Sequence, residues 1–201
     1  LTYDFTGINN ANNYQRVVVF FDFGNSGNGK VFYWDDVKKL ATNFVETVSL
    51  PLTFESSSLS YTFNDFDGGV ATVINNPQSG GSNTSAKVGR LTKSAGAEIW
   101  AGTTLLLDAP IDFTTQQQIS VKTWSPVAGA VVKLKLENAG NANINVELDQ
   151  VTTIANGWET LTYNFTGINN ANNYQRVVVF FDFGNAGNGA TYYFDDIKLS
   201  N

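Results

Sequence analysis

The chain has 201 residues and a formal net charge of −6, with no His, Cys or Met but 15 Phe and 18 Gly. The lack of Cys and His excludes disulfides, thiolate or imidazole catalysis, and metal sites that need those ligands. The acidic balance argues against nucleic acid as a partner, because phosphate binding requires clustered Lys and Arg, and no stretch reaches the length of a membrane span.

An internal repeat begins at the first residue. Residues 1–40 and 161–200 are identical at 31 of 40 positions, and residues 5–25 match residues 165–185 without exception. One of the differences places Trp34 where the second copy has Phe194. Since protein cores tolerate many apolar exchanges, such identity indicates a recent duplication rather than a physical requirement.

The repeat divides the chain into three predicted parts. Residues 1–40 are the C-terminal part of a preceding repeat, residues 41–51 a linker, and residues 52–200 a complete repeat. A lone strand pair is marginal in water, so the first part cannot close its own core. We therefore expect a segment of a longer tandem array with neighbouring repeats as partners. The alternative is that residues 1–40 pair with another chain by strand exchange.

The linker and the strands follow in chain order. The linker has Phe44, Val45 and Leu50 and little Gly, which favours a docked segment over a flexible one. Beyond it, apolar and polar residues alternate with a period of two, and turn signals such as Asp67-Gly68 separate the alternating runs. The runs include residues 119–124, 131–136 and 143–148, followed by residues 174–183, which are apolar on both faces and indicate a central strand. This pattern predicts an all-β fold, a two-sheet antiparallel β-sandwich or jelly roll.

Short motifs in the complete repeat resemble a known family. The repeat opens with Leu52-Thr53-Phe54-Glu55 and closes with the aromatic-Asp-Asp-aliphatic strand Tyr192–Ile197, and Gly96–Thr103 and the strand containing Trp158 lie between them. These features resemble the jelly-roll carbohydrate-binding modules of families four, sixteen and twenty-two. Such modules occur in secreted bacterial glycosidases and in surface glycan-binding or adhesin proteins. The resemblance implies a two-sheet sandwich, with Trp158 as the core tryptophan.

The resemblance also implies a structural calcium ion. Its ligands would be Glu55 in the opening strand and Asp195 and Asp196 in the closing one. Asp195 is expected on an inward face with Tyr193, Ile197 and Leu199, and a buried carboxylate there needs a cation. The alternative is a solvated acidic strand end near Lys198.

A glycan site needs flat aromatic rings and planar polar groups. Trp100 and Trp124 are the two tryptophans without another assigned role, and packing is the alternative for each. Trp124 shares an outward face with Lys122. The candidate residues are Trp100, Trp124, Glu98, Lys122, Lys133, Lys135, Glu137 and Arg176. An ordinary solvated sheet face is the alternative for the polar members, and the sequence leaves open whether the site lies on a sheet or at a loop edge.

Two classes of function follow. The first is a non-catalytic module of a secreted or cell-surface protein that binds a polysaccharide or cell-surface glycan. The second is a structural repeat of a long extracellular adhesin or fibre. No pair of carboxylates lies in a glycosidase signature, so the chain is predicted not to be an enzyme.

Overall fold

The computed structural model describes residues 3, 5, 7–9, 11, 12, 14–38 and 46–201. The chain divides into two units, Leu1–Phe44 and Val45–Asn201. In the first unit, the described residues form no helix or strand, and every one of them is exposed. Val17 is 74% exposed and Phe20 is 68% exposed. The described part of this unit therefore buries none of the apolar side chains that its sequence supplies.

The second unit is a β-sandwich of ten strands. A short 3₁₀ helix, Asn170–Asn172, precedes the ninth strand. The strands are β1 (Phe63–Phe66), β2 (Gly69–Asn75), β3 (Lys87–Lys93), β4 (Gly102–Leu106), β5 (Gln118–Ser125), β6 (Val131–Asn138), β7 (Asn145–Val151), β8 (Gly157–Asn164), β9 (Tyr174–Phe181) and β10 (Thr191–Ser200).

The strands form two antiparallel sheets of five. The first sheet has the order β1-β4-β9-β6-β7, and the second sheet has the order β2-β3-β10-β5-β8. The predicted all-β two-sheet sandwich is thereby confirmed. The run predicted as a central strand is β9, which is hydrogen-bonded to β4 on one side and to β6 on the other. Its β-branched and aromatic residues suit a strand covered on both faces.

The main core lies between the sheets. Phe54, Phe181 and Phe194 are at most 1% exposed and form its aromatic centre. The two ends of the unit meet, because Leu52 forms an antiparallel bridge with Ile197. From the predicted linker, Val48 and Leu50 also pack against this core, whereas Phe44 and Val45 lie outside the described residues.

A bulge in β10 corrects one expectation from the sequence. The register shifts between Asp195 and Lys198, and Asp196 has a φ of 44°. Tyr192 and Phe194 therefore face the core before the bulge, and Ile197 faces it afterwards. Strict alternation wrongly placed Asp195 and Tyr193 on the inward face, because a bulge inserts a residue and reverses the alternation.

Trp158 is buried, as the resemblance implies, at 8% exposure. It lies outside the main core, however, which contains Leu161 and Tyr163 from the same strand. Together with Val88 and Trp124, it forms a smaller cluster against which Tyr193 packs. The reason is strand geometry, because residues an odd number apart in β8 point to opposite faces of the sheet.

Candidate functional site

Charged side chains cover the outer face of the first sheet. On β6, Val132, Leu134 and Leu136 are at most 1% exposed and face the core, so the residues between them face outward. Cross-strand pairing places Lys133 opposite Asp149 and Glu137 opposite Arg176. We call this surface the polar face, and its charged residues are Lys133, Lys135, Glu137, Glu147, Asp149 and Arg176.

The charges on the polar face are paired. Lys133 Nζ lies 2.9 Å from Asp149 Oδ1 and 3.4 Å from Glu147 Oε1. Lys135 Nζ lies 2.9 Å from Glu137 Oε1, and Arg176 Nη1 lies 3.9 Å from Glu137 Oε2. The three cations are thus matched by three carboxylates. A surface of this kind offers planar hydrogen-bonding groups without a net field.

Lys133 is the most buried cation of the polar face, at 6% exposure. Burial lowers its pKa, but the hydrogen bond and charge of Asp149 and the charge of Glu147 outweigh burial and raise it overall. The Lys133 ammonium also lies 4.5 Å from the ring centroid of Phe183, within cation–π range. Lys133 is therefore a fixed, charged point on this surface.

Three phenylalanine rings lie along the same side of the sheet. Phe66 and Phe180 have ring centroids 5.5 Å apart, and so do Phe180 and Phe183. We call Phe66, Phe180 and Phe183 the phenylalanine row. Sequence reasoning missed it, because these residues come from β1, β9 and the loop after β9. The one available signal was the alternation of side chains along β9, which places Phe180 on the outward face. No such signal applied to Phe66 or Phe183.

Trp100 lies beside the turn that follows Phe66. Its ring is 46% exposed, and its indole Nε1–H donates a 2.8 Å hydrogen bond to Asp67 Oδ2. The Glu98 backbone N–H donates to the Asp67 carbonyl at 3.0 Å. The β1–β2 turn therefore holds Trp100 and Glu98 together, next to one end of the phenylalanine row. The indole hydrogen bond restrains a large aromatic surface that is open to solvent.

Trp124 lies on the other sheet. As predicted, it faces away from the main core, but it is only 8% exposed. It packs on Tyr193 with ring centroids 5.2 Å apart. Its neighbour Trp158 donates from Nε1 to the carbonyl of Gln78 at 2.8 Å, in the loop between β2 and β3. This loop covers the outer face of the second sheet.

The eight predicted glycan residues therefore fall into three groups. Lys133, Lys135, Glu137 and Arg176 share the polar face, and Trp100 and Glu98 lie at the Asp67 turn. Lys122 and Trp124 belong to the second sheet, where the Lys122 ammonium lies 2.6 Å from Asp196 Oδ2. The first two groups make up the candidate site, linked by the phenylalanine row. Lys122 and Trp124 lie apart from it.

The three predicted calcium ligands each have another partner. Glu55 Oε1 accepts the Lys87 backbone N–H at 2.8 Å, and Asp196 pairs with Lys122. Asp195 is fully buried and accepts the side-chain amide of Asn83 at 3.0 Å. Within the described residues, no group of three or more His, Cys, Asp or Glu side chains could hold a metal ion. Calcium therefore stays a prediction, with Glu55, Asp195 and Asp196 as its proposed ligands.

The Asp195 carboxyl has a perturbed pKa. Burial raises it to about 6, and the nearby Asp196 charge acts in the same direction. Hydrogen bonds from Ser85, Asn83 and the Asp196 backbone oppose the rise. The Asn83 amide is thus one of the hydrogen-bond donors that stabilise the buried carboxylate.

Two grooves flank the sheets of the second unit, and the smaller one borders the polar face, because its lining residue Leu106 is paired with Arg176. A groove of about 400 Å³ is lined by Phe54, Tyr61 and Thr72 among others, and a groove of about 250 Å³ lies beside Asn64 and Asp108. Neither groove is lined by a predicted glycan-binding residue. The candidate site is therefore a sheet face with an aromatic edge, bordered on its β4 side by the smaller groove.

Comparisons with solved structures identify the fold. A structure of promiscuous carbohydrate-binding modules from the β-sandwich superfamily gives a TM-score of 0.52 at 12% identity, over 75% of this chain and 61% of that one. The family 11 carbohydrate-binding module of Clostridium thermocellum, bound to a β-1,3-1,4-mixed-linked tetrasaccharide, gives 0.50 at 13%, over 73% and 91%. The K2 adhesin domain of Lys-gingipain gives 0.50 at 15%, over 74% and 97%.

These similarities concern the fold. The chain spans less than two thirds of the first of these structures. No protein-family model matches the chain, and no curated protein matches it. The predicted resemblance to jelly-roll carbohydrate-binding modules is thus confirmed at the level of the β-sandwich. The described residues include no helix of the length and apolar character needed to cross a membrane.

Proposed function

We propose that the second unit is a non-catalytic carbohydrate-binding module of a secreted or cell-surface protein. Polysaccharide would lie across the polar face with one sugar ring against Trp100. The observation that carries this proposal is that Trp100 is 46% exposed while its indole is restrained by Asp67 beside the polar sheet face. An exposed ring held in one orientation loses little conformational entropy when a sugar stacks on it.

Each part of the surface has a role in this proposal. The indole offers an apolar plane for sugar C–H groups, and the half-buried Phe66 and Phe183 extend that apolar edge. Phe180, at 7% exposure, supports these two rings from below. Glu137 and Arg176 offer acceptors and donors for hydroxyl groups. Because the polar face carries matched charges, an uncharged glycan can bind without separating an ion pair from its partner.

The test is calorimetric titration of the full chain against soluble neutral polysaccharides, including mixed-linked β-glucan. We expect saturable binding that Trp100→Ala weakens roughly tenfold, since a lost aromatic contact is worth about 0.5–1.5 kcal/mol. The matched control is Trp34→Ala, which removes another exposed tryptophan, 62% exposed in the first unit. Equal losses in both variants, or no binding to any glycan, would contradict the proposal.

A second candidate function is a structural repeat of a long extracellular adhesin or fibre. The observation that favours it is the identity of residues 5–25 with residues 165–185. In this role the partners are neighbouring repeats rather than sugars. An absence of glycan binding, together with a folded second unit, would favour this function over the first.

A further inference from the structure

The same sequence occurs in two structural states in this chain. Residues 14–25 and 174–185 are identical. In the second unit, Val177, Val179 and Phe181 are at most 3% exposed within β9. In the first unit, the equivalent Val17, Val19 and Phe21 are at least 40% exposed, and residues 14–38 form no strand. The difference comes from the partners available to each segment.

The second unit identifies what those partners are. The segment equivalent to residues 14–38 supplies β9 and most of β10, and each is the central strand of its sheet. β9 is hydrogen-bonded to β4 and β6, and β10 to β3 and β5. A strand pair of this kind is complemented by eight strands arranged with a gap in each sheet. No flat surface or single edge strand would satisfy both of its edges.

One substitution distinguishes the partner from the second unit. Phe194 lies opposite Gly89 in the β10–β3 pairing, and a Cβ atom added to Gly89 would be 2.5 Å from the Phe194 ring. The ring is enclosed further by Phe54 and Phe63, at centroid distances of 5.5 and 6.1 Å. Trp34 occupies the equivalent position of the first segment. An indole is too large for this pocket, because close-packed cores do not absorb a second ring without strain.

We propose that residues 14–38 are the last strand pair of a preceding repeat, whose pocket at this position is wider than that of the second unit. The pair completes that repeat in the same polypeptide and is not exchanged with a second copy of this chain, because Trp34 does not fit the Phe194 pocket. Because residues 14–25 are identical to residues 174–185, the β9 part of the pair would fit either repeat. Residue 34, in the part equivalent to β10, therefore determines which repeat the pair completes. This inference does not depend on sugar binding.

The test extends the full chain at its N-terminus. Because Leu1 is equivalent to Leu161, residues 46–160 are placed directly before the complete 201-residue chain, which gives residues 14–38 eight partner strands. The measured quantity is the hydrogen-exchange rate of the backbone amides of residues 31–34. Peptides that contain these residues differ in sequence from those that contain residues 191–194, so the two copies can be told apart by mass. Three proteins are compared: the extension with Trp34, with Trp34→Phe, and with Trp34 plus Phe63→Ala in the added segment only.

In the Trp34→Phe protein, we expect amides 31–34 to exchange about a thousandfold more slowly than in the unextended chain, as in a folded core strand. Trp34 should give much weaker protection, and Phe63→Ala in the added segment should restore part of it. Amides 191–194 report in every protein that the second unit has folded. Adding Val19→Asp, which puts a charge at a core position of the strand, should abolish the protection of amides 31–34.

Three results would overturn the proposal. Rapid exchange at 31–34 in the Trp34→Phe protein would show that the segment is not a strand pair of this fold. Equal protection in the extended proteins with Trp34 and with Trp34→Phe would remove the role of residue 34. Protection of 31–34 in the unextended chain that rises with protein concentration would identify a second copy as the partner. Glycan titration of the same proteins reports separately on the proposed function.

Discussion

Lys93 shows how a single buried cation joins parts of the sandwich. It is 1% exposed, and its Nζ donates to the carbonyls of Ile99, Phe181 and Asp182 at 3.1, 3.3 and 2.9 Å. Burial lowers its pKa, which the Asp182 charge partly opposes. The ammonium thus connects β3 to the end of β9 and to the loop before β4, and it satisfies carbonyls that are shielded from water.

We expect Lys93→Met to destabilise the second unit by about 3–5 kcal/mol, because it leaves these carbonyls without a donor. Urea unfolding of the full chain measures the loss. The control is Lys198→Met, which removes an exposed lysine from β10 and should change stability by less than about 0.5 kcal/mol. Similar values for the two variants would show that the buried ammonium does not stabilise the fold.

Asp195 makes stability depend on pH. Its pKa is raised to about 6 in the folded protein, against about 3.9 in an unfolded chain. The folded state therefore binds the proton more tightly, and stability is lost as pH rises from about 4 to about 6. The loss should be about 2–3 kcal/mol and should disappear in Asp195→Asn.

Thermal unfolding of the wild type and Asp195→Asn across this pH range, each with and without calcium chloride, measures the effect. Calcium bound at Asp195 would favour the charged carboxylate and abolish the loss of stability towards neutral pH. An effect of calcium on the wild type that Asp195→Asn removes would support the calcium prediction. The absence of such an effect would leave Asn83 as the partner that the carboxylate requires.

At the scale of elements, β10 depends on one tight contact. We expect Phe194→Trp to destabilise the second unit by about 1–3 kcal/mol or more, because the larger ring would overlap the backbone of Gly89. The control is Tyr192→Phe, which is also at a core position of β10 and introduces the residue that the first copy has there, Phe32. This variant should lower the free energy of unfolding by less than about 1 kcal/mol.

Urea unfolding of both variants tests the contact between β10 and β3. If Phe194→Trp were no more destabilising than Tyr192→Phe, the pocket beside Gly89 would be able to widen. There would then be no physical reason for residues 14–38 to need a preceding repeat with a wider pocket.

At the scale of the whole molecule, the two units should differ in resistance to proteolysis. Arg16 and Lys30 lie in exposed, non-regular chain of the first unit, whereas Arg90 and Lys133 lie within strands of the second. Proteases cut segments that can leave the fold, and strands in a packed sheet open only rarely. Limited trypsin digestion should therefore cleave after Arg16 and Lys30 first and leave a resistant fragment that contains residues 46–201.

Mass spectrometry of the time course identifies the order of cleavage. Early cleavage after Arg90 or Lys133 would contradict the arrangement of the second unit. The resistant fragment also provides material for repeating the glycan titration without the first unit.

The fold class and the faces of the strands could be predicted from the sequence alone. Alternation and turn signals are local properties, so they correctly predicted the two-sheet sandwich, the central strand β9 and the outward direction of Lys133, Lys135 and Glu137. Which of the outward residues remain accessible depends on how the strands and loops pack in three dimensions. Trp158 and Tyr193 pack against Trp124, the bulge at Asp196 reverses the alternation, and the Asp67 turn holds Trp100 beside the phenylalanine row. These outcomes depend on contacts between residues far apart in the chain, as do the two states of the identical segments, because a strand forms only where neighbouring strands satisfy its hydrogen bonds.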